Sequence, residues 1–194
     1  MLWSSLYEQA EARFVPMRGL ILTGALGVGK TTAQDTLVRL HGFWTPTTMT
    51  TRSVSSDEAY ALGVGLEEFT AGVRDRRFVL PAKFGTNWYG WSAEDFHRLR
   101  NDRAARAVVN VRPYTALLLS ALIEDMLPVW IWLTPEELAL RLAQRAAVRD
   151  VEPAILSERR RQDEEDRTYE TLFEHRVRSD ENMPQSLLRL IEST

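Results

Sequence analysis

The stretch Gly24-Ala25-Leu26-Gly27-Val28-Gly29-Lys30-Thr31 decides how this chain is read, because it fits G-x-x-x-x-G-K-[ST] and joins an apolar run to an amphipathic one. Before it, Met17, Leu20, Ile21 and Leu22 have the make-up of a short buried strand; after it, Ala33, Leu37 and Leu40 recur at helical spacing. Its three glycines allow positive φ and bring successive N–H groups close to a phosphate, at the positive end of the helix that starts near Lys30. At these offsets Lys30 reaches the β- and γ-phosphates of a nucleotide, and the Thr31 hydroxyl ligates the Mg²⁺ that bridges them. The candidate donor-binding set is therefore Gly24, Gly27, Val28, Gly29, Lys30, Thr31 and Thr32, with Thr31 the candidate metal ligand and Mg-ATP the expected occupant. A plain glycine turn is the alternative, but it explains neither the lysine nor the hydroxyl.

The chain has 194 residues, 44% hydrophobic and 26% charged, which suits one globular domain with small insertions. No apolar run approaches the roughly 20 residues that a membrane helix requires. No basic segment followed by an apolar one opens the chain, and there are no cysteines, so a cytoplasmic protein without a membrane partner is expected. A net charge of −3 gives no electrostatic case for general nucleic-acid binding. Only two lysines occur, Lys30 and Lys83, so one of the two lies in the glycine loop.

Outward from the loop, residues 1–15 read as an added helix, with Leu2, Leu6, Tyr7, Ala10 and Phe14 on one face. Packing on a sheet edge or a homodimer contact are its two uses. After the loop helix, His41-Gly42 is a stop, and residues 43–47 read as a short strand. A hydroxyl-rich segment follows, from Thr47 to Ser56 with Arg52 as its one cation, where the carboxyl ends of parallel strands line a ligand crevice. A helix over 66–77 precedes a brief strand over 78–81 that Pro81 cuts off. Asn87-Trp88-Tyr89-Gly90-Trp91 packs three aromatic rings together, as a small core or as a stacking platform. Ser92 then caps a helix with Asp95 at N3.

Residues 107–111 form a nearly continuous apolar run, the mark of a strand buried on both faces. A leucine-rich helix from Pro113 to about Asp125, a strand over 128–133, and a capping box at Thr134-Pro135-Glu136-Glu137 follow. Further helices are expected to about 148, over 153–172 and over 185–191, with an edge strand over 174–178. Strands alternating with helices imply a parallel sheet wrapped on both faces. The expected architecture is α/β, a three-layer sandwich on a mainly parallel five-stranded sheet. His41, His97 and His175 are dispersed and show no metal-ligand spacing.

In this order, the phosphate loop, Thr50-Thr51-Arg52, Asn87-Trp88-Tyr89-Gly90, the strand ending at Asn110, and Leu133-Thr134-Pro135-Glu136 with Arg141 and Arg145 resemble the guanylate kinase branch of the P-loop nucleoside monophosphate kinases. The resemblance implies a kinase domain over 16–194, with an acceptor-binding insert at about 48–103 and a short lid at about 141–153. It puts Arg52 and Tyr89 on the acceptor's phosphate and Thr48 near its base. Arg141 and Arg145 become lid arginines, with Arg159 or Arg160 closing on the transferring group. It also places Asn110 and Arg112 at the acceptor, in the region of a family acid.

Ser55 and Leu80 stand where that family carries an arginine and a guanine-reading acid, so the implied acceptor is a phosphorylated small molecule other than GMP. The shortened loop after Arg52, the apolar Leu80 and the strand ending in Asn110 look more like the ribose 1,5-bisphosphate phosphokinase branch of the same fold. A hydroxyl acceptor would call for a base, for which Asp35, Asp57 and Glu58 are the candidates. A nucleotide-binding interaction protein that has lost transfer is the reading from another class.

Overall fold

The structure, a computed structural model, describes residues 17–55, 58–148, 161 and 164–194, with the side chains of 145–148 outside that description. The expected helix over 1–15, the lid residues 149–153 and Arg159 and Arg160 lie outside the described residues.

The organising element is β1 (Gly19–Gly24), buried along its whole length. It pairs in parallel with β6 (Ala107–Asn110) on one side and with β7 (Met126–Trp132) on the other. The edge strand β8 (His175–Arg178) joins β7, giving the all-parallel order β6-β1-β7-β8. Helices cover both faces, as a sheet of apolar parallel strands requires. One face packs Leu20, Leu22 and Val108 against Ala33 and Leu37 of α1 (Lys30–His41) and Leu187 of the closing helix α6 (Met183–Ser193). The other packs Ile21, Val109 and Trp130 against Ala116 and Leu119 of α4 (Pro113–Leu122) and against Phe173.

Among the described residues the parallel sheet has four strands, not the expected five. At the position of the fifth strand, Trp44 makes one parallel bridge to Ala107. Its N–H donates to Arg106 and its carbonyl accepts from Val108. In a parallel ladder the next donor is two residues on, and there Pro46 has no N–H, so the pairing ends.

A second sheet, of order β3-β2-β5-β4, is built from β2 (Thr48–Thr50), β3 (Ala61–Gly63), β4 (Phe78–Phe84) and β5 (Asn87–Ser92). Pro81 does not cut β4 short as expected. Being on the sheet edge, β4 runs past it with a register shift between Val79 and Ala82, and Leu80 takes a positive φ of 50° at that irregularity. Helix α2 (Leu66–Arg74) ends three residues before the expected 77. Helix α3 (Ala93–Asn101) starts where Ser92 caps it, the Asp95 N–H donating to the Ser92 hydroxyl at 3.0 Å. Likewise α5 (Pro135–Val148) begins with a reciprocal cap. The Thr134 N–H donates to Glu137 at 3.0 Å and the Glu137 N–H to the Thr134 hydroxyl at 3.3 Å. Residues 141–148, expected to open the lid, continue α5.

Candidate active site at the carboxyl edge of the parallel sheet

The register aligns the carboxyl ends of the strands: Leu22 pairs with Asn110, Gly24 with Ile131, and Trp132 with Arg178. Asn110, Arg141 and Ser179, which end or follow three of these strands, gather around the glycine loop. Gly24, Gly27 and Gly29 all take positive φ, at 131°, 86° and 99°. A side chain on Gly24 would also run into the Ile131 carbonyl. Gly29 is the N-cap of α1 and brings no side chain to it, and the first turn carries no acidic residue, so nothing local neutralises the positive end of the helix. That is the electrostatic setting an oxyanion needs.

Lys30 reaches back over the loop, its ammonium donating to the carbonyls of Gly24 at 2.7 Å and Ala25 at 2.8 Å. Thr31 and Thr32 lie at the start of α1, both exposed. The Asn110 amide donates to the Thr31 hydroxyl at 3.2 Å, which puts Asn110 at the loop. From α5, the Arg141 guanidinium donates to the Val28 carbonyl at 3.2 Å and to the Ser179 hydroxyl at 3.0 Å. Ser179 follows β8 and is held by its own N–H on the Trp132 carbonyl at 2.9 Å. The loop, the lysine, the hydroxyl and one arginine expected over the phosphates therefore meet in one place. Arg145 lies one helical turn beyond Arg141 on α5.

The residues assigned to the acceptor sit on the second sheet and where it meets the first. Arg52 follows β2; its two Nη groups bind both carboxylate oxygens of Glu58, and Nη1 also donates to the Ser53 carbonyl at 2.9 Å. That hydrogen bond to Glu58 raises the Arg52 pKa above its ordinary value, against the lowering effect of burial, and Tyr89 acts in the same sense as Glu58. Arg52 lines an open groove of about 450 Å³ together with Thr51, Ser53, Val54 and residues 61–64. Thr48 accepts from the Trp91 indole at 3.4 Å.

Arg112 lies just past β6, with its guanidinium 3.6 Å from the centre of the Phe84 ring and 2.7 Å from Asp166, a buried acid. Phe84 in turn meets the edge of Tyr89 at 6.3 Å. Arg112 and Arg52 are thus joined through two rings across the insert. Of the candidate bases, Asp35 is held by Arg39 at 2.8 Å and by the Tyr60 hydroxyl at 3.2 Å, Glu58 is paired with Arg52, and Asp57 lies outside the described residues. The aromatic run splits by role. Trp91 is core, while Trp88 stacks near Phe69 and Tyr89 lies beside Arg52.

The chain is similar to the crystal structure of guanylate kinase from Anaplasma phagocytophilum, with a TM-score of 0.66 and 14% identity over 92% of this chain and 85% of that one. The fold is that of guanylate kinase. No protein-family model and no curated protein matches the chain. At this identity the guanylate kinase likeness speaks for the arrangement of strands and helices and leaves the chemistry to the side chains.

Sequence reasoning missed Ser179, Asp166 and Phe84 as site neighbours, and saw Glu58 only as a candidate base. Ser179 and Asp166 fall in segments whose local pattern carries no motif. Phe84 and Glu58 become informative only through their arginine partners. Among the described residues no group of three His, Asp or Glu is arranged to hold a metal ion. The Thr31 hydroxyl, at the first turn of α1, is the oxygen that the sequence offered to Mg²⁺. It suits that ion, a hard cation that takes one or two protein oxygens and fills its shell with phosphate and water.

Proposed function

We propose that this chain is an ATP-dependent phosphotransferase that passes the γ-phosphoryl group of Mg-ATP to a small acceptor already bearing phosphate, a nucleoside monophosphate other than GMP. The observation that carries this reading is the meeting of the positive-φ glycine loop, Lys30, the Thr31–Asn110 pair and Arg141 at one edge of the parallel sheet. The guanylate kinase-like fold supports it.

In this mechanism the loop N–H groups and the start of α1 bind the donor's phosphate oxygens, and Lys30 exchanges its loop carbonyls for the β- and γ-oxygens. Thr31 would hold the Mg²⁺ that accompanies the nucleotide, an ion that when bound would neutralise phosphate charge. An anionic oxygen of the acceptor's phosphate attacks the γ-phosphorus in line, the bond to the β–γ bridging oxygen breaks, and ADP leaves. Arg141 neutralises charge on the transferring group, and Arg145 and Arg160 join it in this proposal. Arg52 and Tyr89 hold the acceptor's phosphate, with Thr48 and Arg112 lining the rest of its site. No proton has to be removed from a phosphate acceptor, which agrees with Asp35 and Glu58 both being engaged by arginines.

A second reading, transfer to a sugar phosphate of the ribose 1,5-bisphosphate type, is favoured by one observation. At the positions that the resemblance puts around the acceptor, the chain carries apolar Leu80, the amide of Asn110 and the cation Arg112, and none of them is an acid that would read guanine. A cation there suits a second anionic group. ADP release from Mg-ATP across all ribo- and deoxynucleoside monophosphates and ribose 1,5-bisphosphate separates the two. A strong response to one acceptor names the substrate. Silence across the panel with ATP still bound would contradict both and leave either an acceptor outside the panel or a nucleotide-binding interaction protein.

A further inference from the structure

We infer that Glu58 is the positioning residue for Arg52, occupying one edge of its guanidinium so that the other edge is presented as a fixed two-donor receptor for a single anionic group. The inference rests on the proposed transfer to a phosphorylated acceptor, in which Arg52 holds the phosphate.

A guanidinium has five N–H donors, two pairs of which make planar forks that match a carboxylate or a phosphate. Glu58 takes the fork between Nη1 and Nη2, accepting from Nη1 at 2.8 Å and also from Nη2. The Ser53 carbonyl takes the second Nη1 hydrogen at 2.9 Å. The two hydrogens that Glu58 and Ser53 do not take, on Nε and Nη2, share the side edge of the same plane. Tyr89 acts on this guanidinium as well, which brings a phenol to the same receptor.

Glu58 is itself held. Its N–H donates to the Ser55 carbonyl at 3.0 Å, and the Ser55 N–H donates to its carboxylate at 3.4 Å, so the loop closes around the acid. Both side chains are about one-third exposed, at 32% for Arg52 and 35% for Glu58, and Arg52 opens onto the groove beside β3. An arginine at such a half-open site would otherwise sample many rotamers, and ordering it on binding would weaken the complex. Glu58 meets that ordering cost in the folded protein.

The test is the dissociation constant for ribose 5-phosphate, the unit shared by ribonucleoside monophosphates and ribose 1,5-bisphosphate, measured by calorimetry on the full chain. Glu58→Gln is expected to weaken binding about tenfold, and Glu58→Asp, which keeps the charge with shorter reach, by less. In an Arg52→Ala background Glu58→Gln should cause no further loss, which a general structural role would not produce. If Arg52→Ala weakens binding while Glu58→Gln leaves it unchanged or tightens it, Glu58 is not a positioning residue, and the proposed transfer stands. If Arg52→Ala changes nothing, or the unaltered chain does not bind the probe, the acceptor site itself is misassigned and the inference falls with it.

Discussion

The side-chain amide of Asn110 donates to the hydroxyl of Thr31 at 3.2 Å, tying the end of β6 to the first turn of α1. The two residues lie 79 positions apart, and parallel pairing of β6 with β1 brings them together. Partners that orient a metal-binding side chain typically carry about 10–100-fold in affinity. Asn110→Ala should therefore weaken Mg²⁺-dependent ADP binding about tenfold, with the melting temperature little changed. Asn110→Asp can only accept, so the bond reverses, with the Thr31 hydroxyl donating to the carboxylate, and it should lose less. Titration of Mg²⁺ at fixed ADP reads this directly; equal affinities for the unaltered chain and Asn110→Ala would remove Asn110 from the site.

Gly29 tests the cradle. Its φ of 99° disfavours any side chain, and a Cβ there would lie 3.1 Å from the Ser179 hydroxyl and 3.3 Å from Arg141 Nη1. Gly29→Ala should cost about 1–2 kcal/mol of stability through the backbone alone and displace Arg141. Nucleotide affinity should fall by at least about tenfold, since the N–H groups that bind phosphate move with the loop. Nucleotide titration and a thermal melt check both, and a Gly29→Ala protein that binds ATP normally would contradict this geometry.

At the opposite, amino edge of the sheet, Arg18 and Asp125 form a buried ion pair at 2.7 Å, with side chains 7% and 6% exposed. Arg18 also donates to the carbonyls of Leu99 and Ala105, closing three chain segments under β1. Asp125→Ala leaves a buried cation without its carboxylate and should destabilise by about 3–5 kcal/mol. Urea unfolding measures it. Because the pair is far from the glycine loop along β1, nucleotide affinity of the folded fraction should stay the same.

Glu137 predicts a pH dependence. Its carboxyl pKa is lowered from the ordinary 4.5, first by the Thr134 N–H and then by Arg178. A group with a depressed folded pKa adds stability above its unfolded value and loses it as the pH falls through the folded value. The melting-temperature difference between the unaltered chain and Glu137→Gln should be full at pH 7 and shrink below about pH 4.5. A difference that is flat down to about pH 3 would contradict this assignment.

What was legible in the sequence was local. The glycine loop, the caps at Ser92–Asp95 and Thr134–Glu137, and the buried runs that became β1, β6 and β7 each declare themselves within a few residues. The second sheet did not, because β2 and β3 are three residues each, and exist through pairing with β5 and with each other. Residues 43–47 carried a strand's composition, yet Pro46 stands where the ladder needs a donor. The arginine partners were equally hidden. Nothing near Arg112 in sequence points to Asp166 or Phe84, and the pairing of Arg52 with Glu58 depends on how one loop closes.

The most direct test of the central claim is ADP release from Mg-ATP with the responding acceptor, compared between the unaltered chain and Lys30→Ala. The Lys30 ammonium sits over the glycine loop, so the account predicts turnover lost to background in Lys30→Ala, with an unchanged circular dichroism spectrum. Turnover that persists at the same rate without the Lys30 ammonium would contradict phosphoryl transfer at this loop.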